Sequence, residues 1–487
     1  MNNFQLSSDH YIHVNIIKKI RKSNFSFRIT KLSCYNEKHT AYPIFFHYIL
    51  ALFFYDTAVN FPMRIVRGIQ FLSLLSFNIF LFFFTELSDF LFYLKANLVY
   101  LSFPISYVFW NAKNRGLSAR GFGLLLGQVF IYLVVFWLKS ENLIFLPLLT
   151  LTSLLILISS QFGFQFILFF SLLFSLVFLR VELLLTIITS IIFFRFFFPT
   201  VSKDFFIGQY YHKRNYSRFL APIHIFKRRP DIYRDLIYDF WKKLFSKKTP
   251  KIKALYYIYT NPVIEMLYGF PFIWITLIYI IYSGDYFSIQ MIDKLILLSV
   301  LLFVFISLRP LRFLGEPQRY VEFLIPLISI SFIIKTPNSF HFFSILLSTS
   351  FILFVIILTN KTLKNFNNPY EKILDYFKDN FDSSTIIVSN DSDFSKFLVP
   401  FFKILKTDLL RNYKSITHFN KFHFKNFSVH SSFAIIYFYK KYGAKILVLN
   451  KELYDHKENE NLTSKLKLKF IEKIGKFDFY KIQGLIN

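Results

Sequence analysis

The chain has 487 residues and a formal net charge of +28, and 54% of its residues are hydrophobic, including 69 Phe and 30 Tyr. Apolar runs of about 20 residues recur along it, which indicates a polytopic membrane protein and excludes a soluble multidomain protein. The Lys and Arg residues lie mainly between these runs, a pattern that encodes membrane orientation and argues against nucleic-acid binding. The single cysteine, Cys34, excludes an intramolecular disulfide and a cysteine-based zinc site.

Residues 1–41 form a polar arm in which no apolar segment of the kind found in signal peptides occurs. The arm contains the stretch Ser7–Val14 (SSDHYIHV), which carries one acid and two histidines and leads into a helical run that ends near Arg21. A helical spacing predicts an amphipathic helix at the membrane interface, with its apolar face formed by His13, Ile16, Ile17 and Ile20.

Residues 42–358 are predicted to form a multi-pass membrane domain of about ten or eleven helices. A first span begins at Tyr42 and ends before Pro62. The run 295–308 has fourteen residues, a length that fits a short span or a re-entrant segment. The remaining spans are predicted near 69–88, 90–110, 121–138, 143–159, 162–179, 182–199, 263–283, 320–336 and 340–358.

The charge of the loops orients this domain. The connection 200–262 holds fourteen Lys and Arg against four Asp, so the positive-inside rule places it in the cytoplasm and the arm outside. Its helically spaced part, 231–241, is interpreted as a surface helix on an anionic leaflet, or as a site for an anionic lipid head group. The arm carries seven Lys and Arg with no helix before it to lead it across, and we therefore expect a first transmembrane helix to be missing from this chain.

Residues 359–487 have more charge, and their apolar runs fall to strand length. They are predicted to form a small soluble α/β domain. The predicted strands are 385–389, 445–450 and 477–482, and the predicted helices are 370–380, 393–405 and 433–442, the last closed by Gly443. No GxGxxG or P-loop motif occurs in the domain, so no nucleotide is assigned to it.

Residues 308–322 (LRPLRFLGEPQRYVE) place charge against the membrane edge. Two prolines and a glycine interrupt a helix there. Arg312, Glu316 and Arg319 are ionisable groups of the kind that mark function at a membrane, and an ordinary charged loop is the alternative.

Several segments together resemble GT-C-type membrane glycosyltransferases. They are Asp9–His13 with the basic helix that follows, Tyr42–Leu52 (YPIFFHYILAL), Asn114–Gly123 and Gly315–Glu322. In that family a Tyr-Pro entry leads into the second membrane helix, and an acidic residue on the loop after the first helix is catalytic. The resemblance extends from Ser7 to about Leu358 and loosely over the tail. It departs from the family in two respects, the absent first helix and a histidine, His10, where a second carboxylate often stands.

The resemblance implies that a sugar is transferred from a polyprenyl-phosphate donor to a glycan or lipid acceptor of the cell envelope, in a bacterial-type inner or plasma membrane. Asp9 is the predicted general base for the acceptor hydroxyl, and an N-cap of the following helix is its alternative role. The residues predicted to bind substrate are His10, His13, Arg312, Glu316 and Arg319, with the two arginines on the lipid phosphate. No cofactor is assigned, and a divalent metal held by Asp9 and the two histidines is an alternative that the missing second carboxylate weakens.

Two other interpretations remain open. A non-enzymatic polysaccharide flippase or transporter would carry functional ionisable groups on broken helices near the bilayer midplane. An inactive, truncated glycosyltransferase is the third interpretation.

The composition of the site also depends on whether the run 295–308 crosses the membrane. A re-entrant run leaves 309–319 and the tail outside with Asp9, and this is the arrangement we expect.

Overall fold

The computed structural model describes most of the chain, and the described residues fall within two compact units. The first unit contains residues 1–62, 198–228 and 363–487, and the second contains 63–197 and 229–362. The described residues are 8–25, 43–85, 90–106, 116–215, 232–234, 236, 238, 241–242, 245, 261–282, 290–308, 310–311, 314–364, 369–391, 394–395, 398, 403–405, 432–453 and 456–486.

Helices make up most of the described chain. The α-helices are α1 (Ser8–Lys22), α2 (Phe45–Phe53), α3 (Tyr55–Asn60), α4 (Pro62–Thr85), α5 (Phe90–Leu101), α6 (Ala119–Ser140), α7 (Phe145–Ser159), α8 (Gln161–Phe178), α9 (Glu182–Phe197), α10 (Pro199–Asn215), α11 (Pro262–Gly269), α12 (Pro271–Tyr282), α13 (Met291–Ser307), α14 (Ile325–Lys335), α15 (Asn338–Lys364), α16 (Pro369–Asn380), α17 (Ser432–Tyr442) and α18 (His456–Thr463), together with a helical turn at Ile232–Arg234. Short 3₁₀ helices lie at Pro104–Ser106, Pro317–Tyr320, Glu322–Leu324 and Lys451–Leu453.

The stretch predicted as the first membrane span, 42–61, is broken at Phe54 into α2 and α3. These helices have nine and six residues. At about 1.5 Å per residue neither crosses the roughly 30 Å of hydrocarbon, so this stretch is not one straight transmembrane helix.

Four helical segments of the described chain are long and apolar enough to cross a membrane: Pro62–Phe84, Ala119–Ser140, Gln161–Phe178 and Pro317–Lys335. A fifth candidate is the pair α11 and α12, which meet at a bend of 85°. Shorter apolar helices occur at Phe90–Leu101, Phe145–Ser159 and Asn338–Phe354. The predicted fold class, an α-helical multi-pass membrane protein with a small C-terminal α/β domain, is confirmed.

The membrane helices of the second unit pack through small residues and aromatic rings. The ring of Phe323 lies against Gly127 of α6, where any side chain would occupy the space of the ring. The same ring stacks on Phe166 of α8, with 3.9 Å between the ring centroids. Large apolar side chains such as Phe83, Phe196 and Phe342 are exposed, as expected for surfaces that contact lipid.

Some of the polar groups within these helices are paired with one another. The carboxylate of Asp293 on α13 lies 3.0 Å from Nζ of Lys335 at the end of α14, and it also accepts a hydrogen bond from Ser331. Asn78 on α4 and Asn97 on α5 exchange two amide hydrogen bonds of 3.0 and 2.8 Å. Such pairs satisfy groups that would be costly to leave unpaired in lipid.

The C-terminal part of the first unit contains a five-stranded sheet in the order β2-β1-β3-β5-β4. Its strands are β1 (Ile386–Ser389), β2 (Lys403–Leu405), β3 (Ile446–Asn450), β4 (Leu466–Ile474) and β5 (Phe477–Leu485). Strands β1, β2 and β3 are parallel, whereas β5 pairs antiparallel with β3 and β4. Ile435 of α17 and Leu462 of α18 belong to one hydrophobic core beside the sheet, and Ile373 and Phe377 of α16 belong to another.

Candidate functional site

The first group of predicted site residues lies on α1. The helix begins at Ser8, so Asp9 falls in its first turn, where a negative charge complements the helix dipole. The predicted role of Asp9 as the N-cap of this helix stays a prediction. The side chain of Asp9 lies outside the part of the structure that is described, and its predicted role as general base stays a prediction.

The two histidines of this group are buried. His10 is 3% exposed and His13 is 7% exposed. Nδ1 of His13 is 2.7 Å from Nε2 of His47 on α2, and the two rings are stacked with 5.0 Å between centroids. Burial, followed by the nearby His13, lowers the pKa of His10 to about 3. At neutral pH the His10 ring is therefore uncharged, and the role of both histidines in substrate binding stays a prediction.

Helix α1 is packed inside the first unit rather than lying free. Ile17 and Ile20 on its apolar face are fully buried, as the helical spacing predicted. Tyr11 packs against the hydrophobic core that includes Phe377 of α16 and Phe479 of β5. Burial first, and then repulsion by Lys22 and by Lys378 of α16, lowers the pKa of Lys18. The arm helix therefore packs against the C-terminal α/β part of the chain.

The second group of site residues surrounds the 3₁₀ helix Pro317–Tyr320. Gly315 precedes it with φ of +123°, a conformation that favours glycine. Glu316 and Arg319 form an ion pair across one turn of about three residues. The side chain of Arg319 is 15% exposed and that of Glu316 is 51% exposed, so the pair lies at the edge of the packed unit. Arg312 lies outside the described residues.

The same 3₁₀ helix contacts a carboxylate, Glu265, that was not among the predicted site residues. Nε2 of Gln318 donates a hydrogen bond of 2.7 Å to Oε2 of Glu265 on α11, and both residues are buried. The hydroxyl of Tyr320, also buried, donates to the carbonyl oxygen of Leu314 at 3.3 Å. A lone acid within the apolar stretch 263–283 was the available signal, because an ionisable residue in a membrane helix is a functional candidate by default.

The structure therefore brings Glu316 and Arg319 together in the second unit, and it places His10 and His13 on one helix of the first. Among the described residues, no group of three His, Cys, Asp or Glu side chains is arranged to hold a metal ion. Because the Asp9 carboxylate is outside that set, the predicted alternative of a metal held by Asp9 with the two histidines stays untested.

Comparison with known proteins identifies the fold. No protein-family model matches the chain, and no curated protein matches it in sequence. The structure is similar to the crystal structure of ArnT from Cupriavidus metallidurans in the apo state, with a TM-score of 0.52 and 9% sequence identity over 98% of this chain and 93% of ArnT. The structure of ArnT from the same organism bound to undecaprenyl phosphate gives a TM-score of 0.45 and 9% identity, over 98% of this chain and 94% of ArnT.

ArnT is a GT-C glycosyltransferase, and this chain has the fold of the GT-C membrane glycosyltransferases. The fold that the sequence resemblance implied is confirmed. At 9% identity the similarity establishes the fold alone, and no residue role is transferred from ArnT to this chain.

Proposed function

We propose that the protein is a membrane glycosyltransferase that transfers a sugar from a polyprenyl-phosphate donor to a glycan or lipid acceptor of the cell envelope. The observation that carries the proposal is the GT-C fold over 98% of the chain. The Glu316–Arg319 ion pair supports it, because a guanidinium at a membrane edge is suited to bind a lipid phosphate.

In this proposal Asp9 accepts the proton of the acceptor hydroxyl as the hydroxyl oxygen attacks the anomeric carbon of the donor sugar. The bond between that carbon and the phosphate oxygen breaks, and the electron pair leaves with the polyprenyl phosphate. Arg319 stabilises the negative charge that develops on this leaving group. Glu316 orients the guanidinium through their ion pair, and Arg312 is proposed as a second donor to the phosphate.

The test is a transfer assay with purified protein in proteoliposomes, supplied with polyprenyl-phosphate-linked sugars and envelope lipids. Asp9→Asn should lower the transfer rate by about 10² to 10⁴, the contribution of a general base, without loss of folded protein. Asp56→Asn, which changes an exposed acid of the same unit, is the matched control and should transfer normally. Unchanged turnover of Asp9→Asn would leave only the capping role for this residue.

A second pair of variants tests the phosphate. Arg319→Lys keeps the charge but loses the forked N–H geometry, so it should raise KM for the lipid-linked donor. Arg180→Lys is the control. Arg180 forms an ion pair with Glu182, as Arg319 does with Glu316, but it lies in a different turn of the second unit. An equal effect of the two changes would contradict a specific role for Arg319.

The second candidate function is a transporter or flippase for a lipid-linked glycan. The observation that favours it is Glu265, a buried acid on a helix pair bent by 85°, since transporters bind substrates at broken helices. The same proteoliposomes separate the two functions. Translocation of a labelled lipid-linked sugar without release of polyprenyl phosphate supports transport, and release with a glycosylated acceptor supports transfer.

A further inference from the structure

The residues before α11 fix where Glu265 lies. Oδ1 of Asn261 accepts a hydrogen bond of 2.9 Å from the backbone N–H of Val263, which caps the helix, and Pro262 occupies its first position. Glu265 is therefore held in the first turn of α11, where the helix dipole favours a negative charge. The side chain of Asn261 is buried and also donates to the carbonyl oxygen of Ile232 at 3.1 Å, so the start of the helix is held in place.

The contact between Glu265 and Gln318 joins two segments that are 53 residues apart in sequence. Glu265 is 9% exposed and Gln318 is 1% exposed. A hydrogen bond from an amide to a carboxylate is stronger than one between neutral groups, and burial removes the competition of water. The bond therefore fastens the 3₁₀ helix Pro317–Tyr320 to α11.

That 3₁₀ helix has an inner and an outer side. Gln318 and Tyr320 are buried on the inner side, and Glu316 and Arg319 form their ion pair on the more exposed side. A 3₁₀ helix has about three residues per turn, so Glu316 and Arg319 lie above one another while Gln318 points elsewhere. Since Gln318 and Arg319 are adjacent in a helix of four residues, a shift of Gln318 displaces the Arg319 guanidinium.

We propose that Glu265 is a positioning residue for Arg319: through Gln318 it holds the 3₁₀ helix so that the guanidinium is presented to the lipid phosphate. This inference rests on the proposed function for the identity of the ligand. The fastening of the 3₁₀ helix does not depend on the identity of the ligand, and it has its own measurement.

The test reverses the pair. Gln318→Glu alone places two carboxylates in contact and should weaken binding of undecaprenyl phosphate about tenfold, the size expected for coupled neighbours. The double variant Glu265→Gln/Gln318→Glu restores one amide and one carboxylate, and its affinity should return to within about twofold of wild type. A general loss of folded protein would lower kcat without raising KM, whereas a misplaced Arg319 raises KM for the lipid-linked donor and, because Arg319 also stabilises the leaving group, lowers kcat as well.

Asp293→Asn is the matched control. It alters a buried carboxylate on α13 that pairs with Lys335 at the end of α14, away from the 3₁₀ helix, and should leave the affinity for undecaprenyl phosphate unchanged. The position of the 3₁₀ helix itself is read from the rate at which a maleimide modifies Glu316→Cys in a Cys34→Ser background. That rate should rise with Gln318→Glu and return to normal in the double variant.

The outcomes separate the two claims. If wild type binds undecaprenyl phosphate and Gln318→Glu binds it equally well, the positioning role of Glu265 is refuted. If the double variant binds undecaprenyl phosphate as weakly as Gln318→Glu, the loss of affinity comes from the carboxylate added at position 318 and not from the broken hydrogen bond to Glu265. This outcome also refutes the positioning role of Glu265. If wild type shows neither binding nor transfer while the maleimide rate responds as expected, the fastening stands and the proposed function fails.

Discussion

Nδ1 of His13 lies 2.7 Å from Nε2 of His47, so the arm helix α1 is hydrogen-bonded to α2 across 34 residues of sequence. One ring of the pair must donate and the other accept, and both cannot carry a charge at this distance. The sequence predicted that His13 lies on the same helical face as Ile16, Ile17 and Ile20, and this face is buried. Protein covers that face in the structure, whereas the sequence predicted a helix at the lipid interface.

We expect the first unit to lose stability as the pH falls below about 6.5 towards 3. Burial and the neighbouring His13 lower the pKa of His10 from 6.5 to about 3. Between these values the unfolded chain binds a proton that the folded His10 does not bind, so the free energy of unfolding falls with the pH. Above about pH 6.5, the pKa of His10 in the unfolded chain, the ring is neutral in both states and this loss of stability is absent.

The measurement is the thermal unfolding midpoint of the purified protein across that pH window. His10→Gln removes the titrating group and should make the midpoint less dependent on pH. Lys22→Gln changes an exposed residue of the same helix and leaves His10 in place, so it should leave the dependence as in wild type. A pH dependence that is the same in His10→Gln and wild type would contradict the burial of a neutral His10.

The C-terminal sheet shows which strands a sequence reveals. The predicted strands at 385–389, 445–450 and 477–482 correspond to β1, β3 and β5, whose apolar runs are buried. Strand β4 was missed because it lies at an edge, where six of its nine residues are exposed and four are charged. Strand β2 was assigned to a helix at 393–405, since its three residues carry too little pattern to distinguish the two.

The candidate site was harder to predict because its contacts are not local. Helical periodicity located the buried face of α1, and the cluster of charge located Glu316 and Arg319. The bond from Gln318 to Glu265 joins residues 53 apart, and no single-sequence pattern specifies such a pair. The break at Phe54 was missed because α2 and α3 together have the length and apolar content of a span.

Gly127→Ala should destabilise the second unit. A Cβ at this position would occupy the space of the Phe323 ring, which is 1% exposed and stacked on Phe166. Overpacking of a close-packed interior costs about 1–3 kcal/mol, so the thermal unfolding midpoint should fall. Gly68→Ala on α4 is the control, because an added Cβ there would meet no atom within 4 Å. Equal midpoints for Gly127→Ala and wild type would show that the ring can move aside.

Replacing one member of the buried ion pair Asp293–Lys335 should destabilise the protein more than replacing both members. Lys335→Met leaves the Asp293 carboxylate, which is 1% exposed, without its cation. Breaking a buried ion pair in this way costs about 3–5 kcal/mol, and the lower end is expected because a fifth of the Lys335 side chain is exposed. The double variant Asp293→Leu/Lys335→Met should recover much of this loss, measured by thermal unfolding. If the double variant is less stable than Lys335→Met, the loss in Lys335→Met does not come from the Asp293 carboxylate left without its cation.

The first unit also bears on membrane topology, because it gathers residues 1–62, 198–228 and 363–487. The open sheet of this unit cannot lie in the hydrocarbon, and pieces that pack with it outside the membrane share its side. Among the described residues, six apolar helices, α4 to α9, lie between the first and second pieces. Between the second and third pieces, the described residues hold four apolar helical segments: the bent pair α11 and α12, then α13, the span Pro317–Lys335, and α15. Helix α13 covers the run 295–308 up to Ser307 and is continuous over 17 residues, so it is counted here as a crossing and not as the re-entrant segment that the sequence predicted. Counted over the described residues, both numbers are even, so each series returns the chain to the face it left.

We therefore predict that exposed lysines of the three pieces, Lys22, Lys203 and Lys469, lie on one side of the membrane. The positive-inside rule applied to the sequence placed the connection 200–262 opposite the arm, but a connection of that length crosses largely regardless of its charge. Each lysine is replaced by Cys in a Cys34→Ser background and treated with an impermeant maleimide in sealed vesicles. Asn142→Cys, at the exposed turn between α6 and α7, serves as the control and should be labelled only from the other side. Opposite labelling at Lys22 and Lys203 would sink the prediction and support the orientation that loop charge alone gives.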